Sequence, residues 1–387
     1  MINVETYRSL KVQMSGESEW EEIRRDFPVL AETVYLNSAA AGPVPRPVME
    51  AATGFYREMM EGADALWDEW LERREEVRRR VAAFINAEPD EIALTVNTSS
   101  GMNTIVDALE GRGEVISSEL EFPVSTITWL HRGIPVRLVE TINGQFRADD
   151  VRRAMTERTA IICLSHVQYS NGLRSNLDEI GRAKGEHAFV VNASQSVGAF
   201  EIDVKRMQID ALCATGHKWM IAGYGSGFVY LSRRLQSETR ARAIGWLSVE
   251  EPFADRNREF RVRHDAAARY EWGCPHFAGI FALGAAVNYL SQIGTRKIEQ
   301  RVLSLNNYLT ERLAEANWRV LSPLDDESSR SGETLVAAER PKRVVAHLAR
   351  HGISVTEKPE GIRVATHFFN NEADIDRLVA VLCEYSE

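Results

Sequence analysis

Lys218 stands out among the cations of this chain. Of 46 lysines and arginines only seven are lysine. Six of those sit beside polar or charged neighbours, as solvated lysines do. Lys218 lies instead in GHKWMIAGYGSGFVYL, a setting in which burial is expected. A buried ammonium is costly unless its pKa falls or its nitrogen becomes an imine. Thr98-Ser99-Ser100-Gly101 follows the apolar run EIALTV and opens a helical pattern. Its N–H groups and hydroxyls suit a phosphate, or else form an ordinary helix cap. Thr215 and His217 flank Lys218 closely enough to add donors to the same anion. Asn192 and Gln195 form N-x-x-Q after the apolar AFVV, where buried amides are either satisfied locally or face a ligand. Phe122 suits a lid over a flat ring or a place in the core. Arg363, in GIRVATHFF, offers a fork for a carboxylate or a surface ion pair.

Together these types meet the demands that pyridoxal phosphate (PLP) makes of a protein: an imine-forming lysine, an anion cradle, a partner for the pyridine nitrogen and a cover for the ring.

The elements that must position them are legible from the pattern. Strands are expected at EIALTV, GEVISSE, PVRLVE, TAIICLSHV, AFVVNAS, ALCATG and GFVYLS. Helices are expected at WLERREEVRRRVAAFIN, SGMNTIVDALEG, ADDVRRAMTER and NLDEIGRAKGEH. Strands alternating with helices of this length predict right-handed βαβ units and a mainly parallel sheet. In such a sheet the carboxyl ends of the strands line the ligand crevice. That rule selects residues 97–100, 166–169, 192–195 and 215–218. HFAGIFALGAAVNYLSQIG reads as a long helix leading to a smaller carboxyl-terminal unit. There KRVVAHLARHGI reads as a helix, GIRVATHFF as a strand and SPLDDESSRSGE as a solvated loop.

In this order the motifs resemble the class V aminotransferase group of fold-type I PLP enzymes, which includes cysteine desulfurases and isopenicillin N epimerase-like proteins. The resemblance runs from YLNSAAAGPVP (35–45) to RVATHFFNNEADIDRL (363–378). It is most specific in VNASQSVGAFEIDVKRMQIDALCATGHKWMIAGYGSGFVYL. It implies an α/β fold: a large parallel-sheet PLP domain over 28–285, and a smaller α+β domain from 1–27 and 286–387. It also implies that Lys218 carries PLP as an imine and moves protons, and that Ser99, Ser100, Thr215 and His217 hold the phosphate. Phe122 would cover the ring and Gln195 would bond its 3-oxygen, with Tyr169 or His166 nearby. Arg363 would receive the substrate's α-carboxylate. A homodimer follows as well, with RYEWGCPHF reaching the partner's phosphate through Cys274, where the family has threonine.

Two departures narrow the chemistry. Asn192 stands where the family has aspartate, and an amide cannot favour the pyridinium by ion pairing, which implies a weaker electron sink. Desulfurases of the group carry a sulfur-accepting cysteine shortly before the carboxylate arginine, whereas HGISVTEKPEGIR has none. A C–S lyase without a persulfide relay is the leading expectation. Transamination, (decarboxylative) deamination and Cα epimerisation remain open beside it. A non-catalytic PLP-binding protein is the alternative from another class; it would have had no reason to keep Lys218. A nucleotide-binding protein would need a GxGxxG or P-loop fingerprint at a first βα turn, and none is found there. Trp246, Trp272, His276 and the loop after Ala39 are candidates for side-chain selectivity.

Composition bounds the partners. A net charge of −10 disfavours nucleic acid. No apolar run reaches the ~20 residues of a membrane span, and the opening residues are too polar for a signal peptide. Four scattered cysteines fit a cytoplasmic protein with reduced thiols, and no histidine spacing suggests a metal.

Overall fold

The computed structural model describes residues 16–254, 258–263 and 267–385. The opening residues read as too polar for a signal peptide, and the part of the small domain expected at residues 1–15, lie outside them. After the short β1 (Val34–Tyr35), the apolar runs of the middle of the chain form one seven-stranded sheet. Its strands are β2 (Ile92–Thr95), β3 (Glu114–Ser118), β4 (Val136–Val139), β5 (Thr159–Ser165), β6 (Ala188–Asn192), β7 (Ala211–Thr215) and β8 (Gly227–Leu231). They lie in the order β2-β8-β7-β6-β5-β3-β4. The expected parallel pairing holds from β7 to β4, and β8 alone runs against both of its neighbours. β6, β7 and β8 are buried along their whole length, as strands covered on both faces must be.

Register is what aligns the chemistry. Asn192 pairs with Ser165 on one side and Cys213 on the other, while Thr215 and Thr95 both pair with Gly227. Polar strand ends therefore stand in a row along one edge of an otherwise apolar sheet.

Helices α1 (Gly16–Arg24), α2 (Arg46–Gly62) and α3 (Trp67–Phe84) precede β2. α4 (Thr98–Leu109), α5 (Val124–His131), α6 (Ala148–Ala154), α7 (Leu177–Ala183) and α8 (Arg233–Glu238) alternate with or follow the strands. α9 (Phe277–Ile293), α10 (Thr295–Glu315), α11 (Pro341–Arg350) and α12 (Glu372–Glu384) complete the chain. α4 lies so close to the sheet that a Cβ on Gly101 would stand 2.9 Å from both Cys213 Cβ and Val229 Cγ2. No single helix among the described residues is long and apolar enough to cross a membrane.

The carboxyl-terminal part builds a second, antiparallel sheet in the order β11 (Thr356–Lys358), β12 (Gly361–Ala365), β9 (Glu333–Ala337). β10 (Ile353–Ser354) pairs separately with β1. α10 was not singled out in the sequence, yet it buries Ile298, Val302, Leu305, Leu309 and Leu313, a three-to-four-residue stripe. Val34 and Leu36 pack into one cluster with Leu305, Leu309 and Leu313, and Arg24 on α1 forks onto Asp374 at 2.8 Å to each oxygen.

Two expectations need correction. The stretch read as a solvated loop, 322–333, ends in buried residues, because Glu333 already begins β9 and Ser331 donates to Gly172 O at 2.7 Å. Not all the other lysines are solvated either. Lys184 is buried against Asp210 at 2.9 Å, Lys358 is half-buried, and Lys11 lies outside the described residues.

Candidate active site

Three residues after β7, Lys218 projects where the strand ends converge. The loop that follows β1 locks its backbone in place: Gly42 N donates to His217 O at 2.8 Å, and a Cβ on Gly42 would stand 2.2 Å from Lys218 O. Ile221, buried and β-branched, adopts φ +52° just beyond, donating to Lys218 O at 3.0 Å. Left-handed backbone in such a residue is strained and persists only where the surroundings impose it. The residue is half-buried and lines the crevice. Burial pushes its pKa down to about 8, against the pull of Glu333 and with the help of Arg363. An amine so depressed is neutral, and so a nucleophile or base, in a far larger fraction near neutral pH than an ordinary lysine.

Lys218, Ser99, Phe122, Tyr169, Asn192 and Gln195 line one cavity of about 210 Å³, with His217 beside them. Phe122 is 45% exposed, which rules out the core reading, and it meets the Tyr169 ring edge-on at 5.0 Å. The Lys218 nitrogen lies 5.8 Å from the Phe122 ring centre. Asn97 caps α4, accepting from Ser100 N at 2.9 Å, so that helix presents its N-terminus to the cavity. The Thr98 and Ser194 hydroxyls meet at 2.5 Å. This cluster of hydroxyls, a helix N-terminus and an amine fits a phosphorylated cofactor with a carbonyl carbon.

The other candidates are placed differently. Thr215 is buried behind the cavity, bonded to His217 Nδ1 at 2.7 Å; the His217 ring stacks on Tyr224 at 4.5 Å. Gln195 is committed on both sides, donating to Ala39 O at 3.0 Å and accepting from Trp219 Nε1 at 2.8 Å, which leaves one amide hydrogen free. His166 does not reach the cavity wall. It is buried against Phe200 with Nδ1 unpartnered, and burial pushes its pKa down to about 3. Arg363 is only 4% exposed, so it is no surface ion pair. It donates to Tyr169 O at 3.3 Å and faces Glu333 at 3.3 Å. Ser100 and Cys274 belong to a neighbouring cavity of about 560 Å³ that shares Asn97 and Ser99 with the first and takes in Trp272 and His276. Trp246 packs edge-on against Phe253 and lines neither.

Residues 34–378 match the profile of the class-V aminotransferases. The chain belongs to that family. Its members are PLP enzymes, and PLP is the cofactor that this cavity fits. A probable cysteine desulfurase from Methanothermobacter thermautotrophicus is 32% identical over 304 residues, covering 75% of this chain and 74% of the relative. An isopenicillin N epimerase from Amycolatopsis lactamdurans is 26% identical and covers 95% of this chain and 99% of its own. Among solved structures, the apo cysteine desulfurase from Thermococcus onnurineus NA1 superposes with a TM-score of 0.86 at 25% identity, covering 94% and 97% of the two chains. A cystine C–S lyase in complex with cysteine persulfide shares the fold, with a TM-score of 0.85 at 22% identity over 93% and 100%.

The structure also brings in residues that the sequence reading passed over. Lys358 Nζ lies 4.1 Å from the Tyr169 ring centre, and burial, then Arg363, pushes its pKa down to about 8. Glu333 is buried beside Arg363, and burial raises its pKa. Glu121 is buried under the Asn192 end of the cavity. Lys358 was within reach of sequence reasoning, since it sits in the very segment searched for a cysteine.

Proposed function

We propose that this enzyme is a C–S lyase that carries out β-elimination on a cysteine-derived amino acid, without forming a persulfide on the protein. The observation that carries the reading is Lys358. In the segment where desulfurases of the family carry their sulfur-accepting cysteine, this chain sets an ammonium over Tyr169, next to the cavity of Lys218. Bound PLP supplies the electron sink that acidifies the substrate's Cα–H. Lys218 would anchor the cofactor and, once released by the substrate, take the Cα proton. Lys358 would hand its proton to the departing sulfur, so that a thiol leaves rather than a thiolate. Ser99 and Ser100 at the start of α4, with His217 and Thr215, would hold the phosphate. Phe122 would cover the ring, Gln195 and Tyr169 would bond its oxygen side, and Asn192 would face its nitrogen. Arg363 would take the α-carboxylate.

Of the four cysteines, Cys163 and Cys213 are buried. Burial raises the pKa of both, Cys213 to about 12, so neither suits sulfur transfer. Cys274 is exposed and lines the wall next to Ser99 and Ser100. In a homodimer of the kind the family resemblance implies, Cys274 would approach the partner's phosphate.

Epimerisation is the second reading. It rests on the same two amines, one of which would serve as the base on the far face, and on the full-length similarity to isopenicillin N epimerase. Incubating the enzyme with cysteine, cystine and S-substituted cysteines separates the two. Elimination yields pyruvate, ammonia and thiol with no cyanolysable sulfur on the protein; inversion of the recovered amino acid without pyruvate would replace the lyase assignment with the epimerase.

A further inference from the structure

Glu333, at the start of β9, is a buried carboxyl group that the reaction above leaves unused. Its side chain is wholly enclosed. Neither carboxyl oxygen has a hydrogen-bond donor among the described residues. Arg363 Nη1 stands 3.3 Å from Oε2, off the line of a hydrogen bond. The main chain beneath is fixed: Glu333 N donates to Ser331 Oγ at 3.1 Å, and a Cβ on Gly172 would stand 2.2 Å from Glu333 O. A carboxylate whose whole task is to neutralise a buried arginine needs hydrogen bonds on its remaining lone pairs, because open buried oxygens cost stability. Here both oxygens are left open.

Arg363 is open in a matching way. Its Nη1 is engaged, donating to Tyr169 O at 3.3 Å and facing Glu333. Its Nε is buried with no partner among the described residues. The edge of the guanidinium that carries Nε is therefore the one left for a carboxylate, which then shares the guanidinium with Glu333. Two further cations act on Glu333: Lys218, from the loop after β7, and Lys358, on β11. The loop packed against its backbone brings Tyr169 and Gly172. Burial raises the pKa of Glu333, and Arg363, then Lys218 and Lys358, draw it back. With Lys218 engaged by the cofactor, Arg363 and Lys358 remain to favour the ionised form. An incoming carboxylate reverses that balance, since two like charges at one site disfavour each other's ionisation. A proton on Glu333 removes the repulsion and supplies an O–H that can donate to the newcomer.

We propose that Glu333 takes up a proton from solvent when a substrate carboxylate settles on Arg363, and that the resulting carboxyl group donates to that carboxylate. Arg363 then keeps a single counter-charge throughout: Glu333 in the empty site, the substrate in the filled one. The proton returns to solvent when the product leaves. Glu333 thereby helps to select for a carboxylate. An amide or ester in its place gives Glu333 no cause to bind a proton and leaves it holding Arg363 as an anion. The proposal deepens the function proposed above and rests on its assignment of Arg363 to the α-carboxylate.

The test counts protons. Holoenzyme is titrated calorimetrically with 3-(methylthio)propionate, an S-methylcysteine without its amino group, which offers the carboxylate but cannot form an imine. Repeating the titration at neutral pH in buffers of different ionisation enthalpy gives the protons taken up per ligand bound. The native enzyme should take up on the order of one proton. Glu333→Gln should take up none and bind the ligand at least as tightly, because its amide N–H stands in for the carboxyl O–H. Lys358, with its pKa pushed down to about 8, is already mostly protonated at neutral pH and adds little to the count. A native enzyme that binds without proton uptake overturns the proposal, and it does so even if Glu333→Gln folds poorly. Unchanged uptake in Glu333→Gln, or markedly weaker binding there, overturns it as well, since the proton then sits elsewhere or Glu333 serves as an anion. Loss of the underlying assignment looks different: binding that persists undiminished in Glu333→Gln/Arg363→Met would take the carboxylate away from Arg363, and the proposal with it.

Discussion

The guanidinium of Arg363 lies 3.3 Å from the carboxylate of Glu333, two buried side chains on the same face of the small antiparallel sheet. Register sets the pair: Arg363 lies opposite Leu335 and Ala365 opposite Glu333, so the two charges are diagonal neighbours. A substrate carboxylate reaching Arg363 must share it with Glu333. The stability consequence is separable from binding. Removing Arg363 alone strands a buried carboxylate, expected to cost about 3–5 kcal/mol. Arg363→Met should therefore lower the denaturation midpoint strongly, and Glu333→Gln/Arg363→Met should recover most of that loss while staying inactive. Equal midpoints for the single and double variants would show that the pair is not coupled.

His367 gives the fold an acid limit. Its Nδ1 accepts from Phe368 N at 2.9 Å and its Nε2–H donates to Trp219 O at 2.9 Å, so both ring positions are spoken for in the neutral form. Burial holds its pKa at about 3, well below the ordinary 6.5. Between those values the unfolded chain binds a proton that the native one refuses. Stability is then lost as pH falls below 6.5, by roughly 1.4 kcal/mol per unit from this group. Urea titrations of the native protein and His367→Gln from pH 7 to 4.5 should show a shallower slope in the variant. Parallel slopes would count against His367.

The backbone of Lys218 depends on Gly42. A methyl group there meets the Lys218 carbonyl at 2.2 Å, backbone against backbone, and neither side can yield cheaply. Gly42→Ala is expected to cost about 1–3 kcal/mol of stability and to reduce the fraction of protein that retains PLP, measured as visible absorbance per chain. Normal loading together with an unchanged melting temperature would mean that the loop has moved aside freely.

How much of this could be read beforehand follows the range of the interactions involved. Lys218, Ser99, Asn192 and Gln195 were within reach because each lies within a few residues of a strand's carboxyl end, and a parallel sheet brings such ends together whatever the rest of the chain does. Glu333 and Lys358 meet Arg363 only through the pairing of β9, β11 and β12, which no local pattern announces. Glu121 reads as an ordinary acid in GEVISSELEF; its burial depends on Ser165 and Gln168, more than forty residues downstream. His166 failed in the opposite way. It follows a strand end, but its side chain turns from the crevice towards Phe200. The strand-end rule selects a backbone position and leaves the direction of the side chain to the register.

Lys358 makes the sharpest kinetic claim. As the donor of a proton to the leaving sulfur it must be an ammonium, and its pKa of about 8 places the loss of that proton just above neutrality. The group is depressed in the folded protein, so the active form is complete below pH 8 and disappears as pH rises through it. With an S-substituted cysteine of poor leaving ability, kcat should fall above about pH 8 in the native enzyme. Lys358→Gln should lower kcat by about 100-fold and abolish that limb, since general-acid assistance of this kind contributes roughly 10²–10⁴. Substrates with an acidic thiol, which departs unaided, should be nearly indifferent to the substitution, and the visible band of the bound cofactor should be unchanged. A variant that keeps the high-pH limb would show that a group other than Lys358 carries the titration, and one that slows both substrates equally would assign Lys358 to binding rather than to proton transfer.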